Sequence, residues 1–146
     1  MAMTARSTEQ RRSDTLARLE HDVDLWMATA DAGTPYLVPL SFRWDGSTLL
    51  VSTPASSPTG RNLQSTGKVR LALGPTRDVV LVEGDVTVDE PDTGEADAFA
   101  AKAGFDPRDS GGYLYFRVTP RRVQAWREVD ELAGRDLMRD GVWIDT

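Results

Sequence analysis

The stretch Leu49–Leu63, LLVSTPASSPTGRNL, holds the residues whose types and spacing could do chemistry. An apolar strand runs into hydroxyls, then a turn, then an arginine. Ser52, Thr53, Ser56, Ser57 and Thr59 supply hydroxyl donors, Gly60 leaves room for close backbone approach, and Arg61 can fork onto a phosphate at the start of a short helix. Together they read as a phosphate grip. The same pattern also describes a solvated loop with an ordinary helix N-cap, because serine-rich turns commonly precede helices.

Other chemistries are poorly served. His21 is the only histidine, and it falls at the end of a polar helix, where a basic side chain suits the helix C-terminus. A Ser-His-Asp hydrolase would have to use it. The chain has no cysteine, so there is no thiol nucleophile or disulfide framework, and the scattered carboxylates form no recognisable metal-ligand spacing. Neither GxxxxGKS nor GxGxxG occurs, which excludes a P-loop and a Rossmann turn. Glu83 and Asp85 share one face of a strand and read as solvated sheet surface. Trp26, Trp44, Trp126 and Trp143 read as core or interface anchors; Trp126, beside Arg127 and just after Arg121 and Arg122, also reads as a ligand-stacking residue.

A chain of 146 residues reads as a single domain, 1–146, long enough to bury a core without a metal or disulfide staple. A net charge of -6 argues against nucleic-acid or anionic-membrane binding by the protein as a whole. No apolar run approaches the roughly 20 residues of a membrane span. MAMTARSTEQRRSDT lacks the apolar centre of an export signal, so a cytoplasmic protein is expected.

The elements that must position the loop follow from periodicity. Residues 1–7 are expected to be loose and 8–21 helical, with Leu16 and Leu19 on a narrow apolar stripe. Tyr36 to Arg43 alternates as a strand, and Pro39 places it at an edge or a bulge. Asp45-Gly46 is a hairpin signal that predicts Thr48–Thr53 returning beside that strand. Strands are expected over Lys68–Leu73 and Val79–Val88, a helix over Asp92–Ala103, and two strands, Tyr113–Thr119 and Arg121–Trp126, separated by Pro120. The apolar tail residues Leu137, Met138, Val142, Trp143 and Ile144 need a surface to cover, for which a partner subunit is one choice. About seven strands and two or three helices predict a mainly β protein, an antiparallel barrel with peripheral helices.

Read together, VPLSFRWDGSTLLVSTPASSPTGRNLQSTGKVRLAL, the long DVVLVEGDVTV strand and the late RVQAWRE resemble the flavin-binding split-barrel family. These are the pyridoxamine 5'-phosphate oxidase-like proteins, including the actinobacterial flavin- and deazaflavin-dependent oxidoreductases. The resemblance covers roughly Val23 to Trp126. It implies a split β-barrel homodimer with cofactor sites at the subunit interface, holding FMN or a deazaflavin of the F-420 type. By position, Val38, Pro39, Leu40 and Ser41 would border the ring system; Ser52, Thr53, Thr59, Gly60, Arg61 and Asn62 would hold the phosphate; Trp126 would reach toward the ring. The cofactor would carry hydride between itself and a small organic substrate, and no side chain is nominated as acid or base. The alternative is a non-catalytic protein that stores a flavin or a tetrapyrrole.

Two departures stand out. Many relatives carry a lysine with the arginine of this loop, whereas SPTGRNL has Arg61 alone, which predicts weaker phosphate affinity. The basic C-terminal segment with which pyridoxamine phosphate oxidases hold their substrate is not visible, so that specific activity is not expected. An F-420 tail would favour a cationic groove, for which Arg43, Arg61, Lys68, Arg121 and Arg122 are the cations at hand.

Overall fold

The structure, a computed structural model, describes residues 4–145. The N-terminal helix forms where expected, as α1 (Thr8–His21), with the Ser7 hydroxyl accepting from the Gln10 amide as its cap. After it come β1 (Asp24–Asp31), β2 (Thr34–Ser41), β3 (Arg43–Trp44), β4 (Leu49–Pro54) and α2 (Pro58–Thr66). The second half runs β5 (Lys68–Leu73), β6 (Val79–Asp89), α3 (Thr93–Ala103), β7 (Tyr113–Trp126), β8 (Asp136–Arg139) and β9 (Val142–Trp143).

Phe42 decides the architecture. It is the single residue between β2 and β3, yet those strands stand at opposite ends of the order β2-β1-β5-β6-β7-β4-β3. A sheet whose two edge strands are joined by one residue must curl round until its edges meet. The chain is therefore a split antiparallel barrel, left open where the free edge of β2 lies beside β4. Met27, Phe42, Leu49, Val51, Leu71, Val82, Phe116 and Val118 fill the interior. Leu19 of α1 enters that core near one end, and Leu63 of α2 plugs the other. α3 lies outside, its Phe99 meeting Tyr115 of β7 edge-on with centroids 5.8 Å apart.

Three local expectations change. Pro120 does not interrupt the chain: β7 is one strand of 14 residues, and the proline is accommodated where its register against β6 shifts. Gly84 opposes Pro120 there, and a Cβ on it would meet Thr119 O at 3.0 Å. The Asp45-Gly46 turn joins only Arg43–Trp44 to Leu49–Leu50; β2 pairs with β1, and β4 has β7 as its long neighbour. Pro39 is thus on an edge strand, as its missing amide requires. Part of the tail covers its own barrel: Leu137 and Met138 are core residues, β8 pairs with β7, and Arg12 lies 5.0 Å over the Trp143 ring, whereas Val142 stays 67% exposed.

Arg6 and Ser7, expected to be loose, are fastened. The Arg6 guanidinium donates to both Glu131 oxygens, at 3.0 and 2.8 Å, and the amides of Arg6 and Arg127 donate to the same carboxylate at 2.8 Å. Those bonds, Arg6 first, hold the buried Glu131 carboxyl down to about 2. A depressed carboxylate contributes stability that is fully present above its unfolded value of 4.5 and is lost as pH falls toward 2. Glu131→Gln is therefore expected to cost on the order of 2 kcal/mol at pH 7 and to flatten the acid side of a stability-against-pH curve measured by urea unfolding. Among the described residues no helix is long and apolar enough to cross a membrane.

Candidate functional site

The open seam of the barrel brings together most of the residues picked out by sequence. Val38, Pro39, Leu40 and Ser41 lie on β2, whose outer edge faces the split, and Ser52 and Thr53 end β4 beside it. Thr59, Gly60, Arg61 and Asn62 form the first turns of α2. A strand edge with unpaired amides and carbonyls is a natural border for a planar, hydrogen-bonding ring.

Trp126 stands apart. Tyr113 at the start of β7 pairs with Pro54 at the seam, whereas Trp126 ends the same strand opposite Val79, under the Arg135 guanidinium at 5.7 Å. It cannot join the other ten within one chain.

The hydroxyls are largely occupied. Ser52 donates to Leu114 O at 2.8 Å, Ser41 to Asp24 at 2.7 Å and Ser57 to Pro54 O at 2.8 Å. Ser57 also caps α2, accepting from the Gly60 amide at 3.0 Å, and Thr53 lies 3.3 Å from the Ser57 hydroxyl. The capped-turn reading is thus correct for Ser57. The Val38 and Leu40 side chains pack on the core, and those of Thr59 and Asn62 are buried.

Gly60 has a different reason from the one expected. A Cβ there would be driven into the Pro54 carbonyl oxygen and would stand 3.1 Å from Ala55 O, so close approach is needed by the chain's own loop. What remains to face a ligand is the exposed Ser56 hydroxyl and Arg61, also exposed, with Nη1 donating to Ser56 O at 2.8 Å. Arg61 is the loop's one cation.

The five cations do not converge into one groove. Arg43 turns to Glu95 at 3.8 Å. Lys68, Arg121 and Arg122, with Arg70 and Arg139, line an open cleft of about 960 Å³ on the outside of the sheet, where carboxylates answer them. Arg121 meets Asp85 at 2.7 Å, and Arg122 and Arg139 meet Asp136 at 3.1 and 2.8 Å. Burial pushes the Asp136 carboxyl up, but hydrogen bonds from Arg139, Gln124 and Arg122 outweigh it and hold it at about 2. Glu83 and Asp85 belong to this ladder, as sheet surface.

Lys102 is a residue that sequence reasoning missed; its ammonium lies 4.3 Å over the Phe42 ring at the corner where β2 passes into β3. Burial lowers its pKa. No local signal pairs a helix lysine with a phenylalanine sixty residues away. Among the described residues, no group of three or more His, Cys, Asp or Glu is placed to hold a metal.

No curated protein matches the chain. Several solved structures share its fold. An FAD-binding protein from Mesorhizobium loti is 18% identical, with 84% of this chain and 95% of that one covered at a TM-score of 0.64. An F420 reductase is 20% identical, covering 73% and 93% at 0.62. HutZ, the heme storage protein from Vibrio cholerae, is 15% identical, covering 77% and 92% at 0.61. At such identities the likeness is one of fold. A family model described as pyridoxamine 5'-phosphate oxidase matches residues 15–127, and with most of its length so matched the chain belongs to the pyridoxamine 5'-phosphate oxidase-like split-barrel family.

Proposed function

We propose that this chain is a homodimeric oxidoreductase that binds a flavin-type cofactor, a deazaflavin of the F-420 type or FMN, along the seam between β2 and β4. The observation that carries the reading is the seam itself: an unpaired strand edge, Val38–Ser41, stands beside a helix start bearing one exposed cation, Arg61, in a chain of this family. The donor set suits a planar ring with a phosphate end. When bound, the cofactor supplies the hydride chemistry. The chain's own role is to border the ring with the backbone of Val38–Ser41 and to hold the phosphate through Arg61.

A second copy would have an open, partly apolar surface to pack on. Cross-strand register puts Pro39, Trp26, Ala72 and Leu81 in one row on the outside of β2, β1, β5 and β6, and Leu37 and Ala28 in the next. Trp26 is 51% exposed and Leu37 60%. A second copy packed there would cover both and supply its own Trp126 toward the seam.

Arg61→Ala is expected to weaken binding of whichever cofactor the protein takes by about 2 kcal/mol, close to 30-fold, read by fluorescence quenching. Turnover separates the enzyme from a storage protein, the reading to which the likeness to a heme storage protein lends support. A bound cofactor that exchanges hydride with a panel of enones, quinones and biliverdin-like acceptors supports the oxidoreductase; one that never does so favours storage.

A further inference from the structure

We infer that Thr29 and Asn62 are positioning residues that aim Arg61 at the phosphate end, a role that rests on the cofactor reading above. Asn62, which the resemblance places among the phosphate ligands, is turned away from the seam: its Nδ2 donates to Thr29 Oγ1 at 3.1 Å, with the two residues 8% and 6% exposed. Thr29 lies on β1 and Asn62 on α2, and among the described residues theirs is the side-chain hydrogen bond that ties the helix to that strand.

Successive residues on an α-helix stand about 100° apart. Pinning Asn62 inward therefore leaves Arg61 outside, over Ser56, where it lies in the structure. Leu63 and Thr59 bury the same face of α2. The Ser57 cap and the close approach of Gly60 to Pro54 fix α2 against its own loop, but against β1 the apolar packing is not directional and tolerates a small rotation. A buried hydrogen bond is directional and costly to leave half-made. A rotation of α2 by a few tens of degrees would swing the long Arg61 side chain several ångströms, enough to lose a charge-assisted contact.

The test is a double-mutant cycle on the full chain, with FMN and the F-420 deazaflavin as probes and quenching titrations as the readout. Thr29→Val keeps the shape and removes the acceptor; it is expected to weaken binding about tenfold, Thr29→Ser to restore it, and Asn62→Leu to reproduce the loss from the helix side. In the Arg61→Ala background Thr29→Val is expected to change affinity less than twofold, because there is no longer a guanidinium to aim. An equal loss in both backgrounds would overturn the inference, showing a general structural effect. So would unchanged affinity in either Thr29→Val or Asn62→Leu, or a Thr29→Ser variant as weak as Thr29→Val. Failure of the unmodified protein to bind either probe is a separate result, which overturns the cofactor reading and this inference with it.

Discussion

Gly60→Ala is expected to lower the thermal midpoint by roughly 10 °C, corresponding to about 3 kcal/mol for a domain of this size. The added methyl has no free volume to enter: it points into the Pro54 carbonyl and lies close to that of Ala55, both backbone atoms of a tight loop. Those atoms cannot swing aside as a lysine tip would. Pro54 O already accepts from the amide and the hydroxyl of Ser57, so moving it also disturbs the cap of α2. The loop and the helix must separate, and Arg61, next in sequence, moves with the helix. Cofactor affinity should fall with stability. A melting curve that overlays that of the unmodified protein would show that the loop yields without cost.

Trp26→Glu should convert the proposed dimer to a monomer at micromolar concentration, with an association constant reduced at least a hundredfold. Trp26 stands in the middle of β1 between Pro39 and Ala72, on a face that one chain leaves open. Central aromatic side chains of this kind carry about 2 kcal/mol or more of an interface's energy, and a glutamate would in addition bury a charge without a partner. Folding should survive, since the position is outside the core, and sedimentation can therefore read association alone. If Trp126 reaches the seam from the second copy, dilution of the variant should weaken cofactor binding in parallel. A dimer that persists in the Trp26→Glu variant would assign the interface to another face.

The two edges of the barrel show how far local pattern carries. Period-two alternation over Lys68–Leu73 and Val79–Val88 and the helical composition of Asp92–Ala103 are local signals, and each of these elements forms within a residue of expectation. Pairing is not local. The neighbour of β4 lies some sixty residues on, and nothing in Thr48–Thr53 announces that the Leu114 carbonyl will accept the Ser52 hydrogen bond. Pro120 reads as a strand break because the relief offered by Gly84 across the ladder is invisible in its own neighbourhood. The loop was legible as composition, and its hydroxyls were not legible as donors already spent. The need for a glycine at position 60 is legible in the sequence, and the Pro54 and Ala55 carbonyls that impose it are not. Asn62 could be tied to Thr29 only once the helix had been laid across the barrel end.

The most direct test of the central claim is a titration of the purified full chain with FMN and, separately, with the F-420 deazaflavin, followed by quenching of cofactor fluorescence. Saturable binding of at least one of them is expected, one cofactor per chain, with Arg61→Ala about 30-fold weaker at the same salt concentration. No saturable binding of either cofactor, or binding that Arg61→Ala leaves untouched, would contradict it.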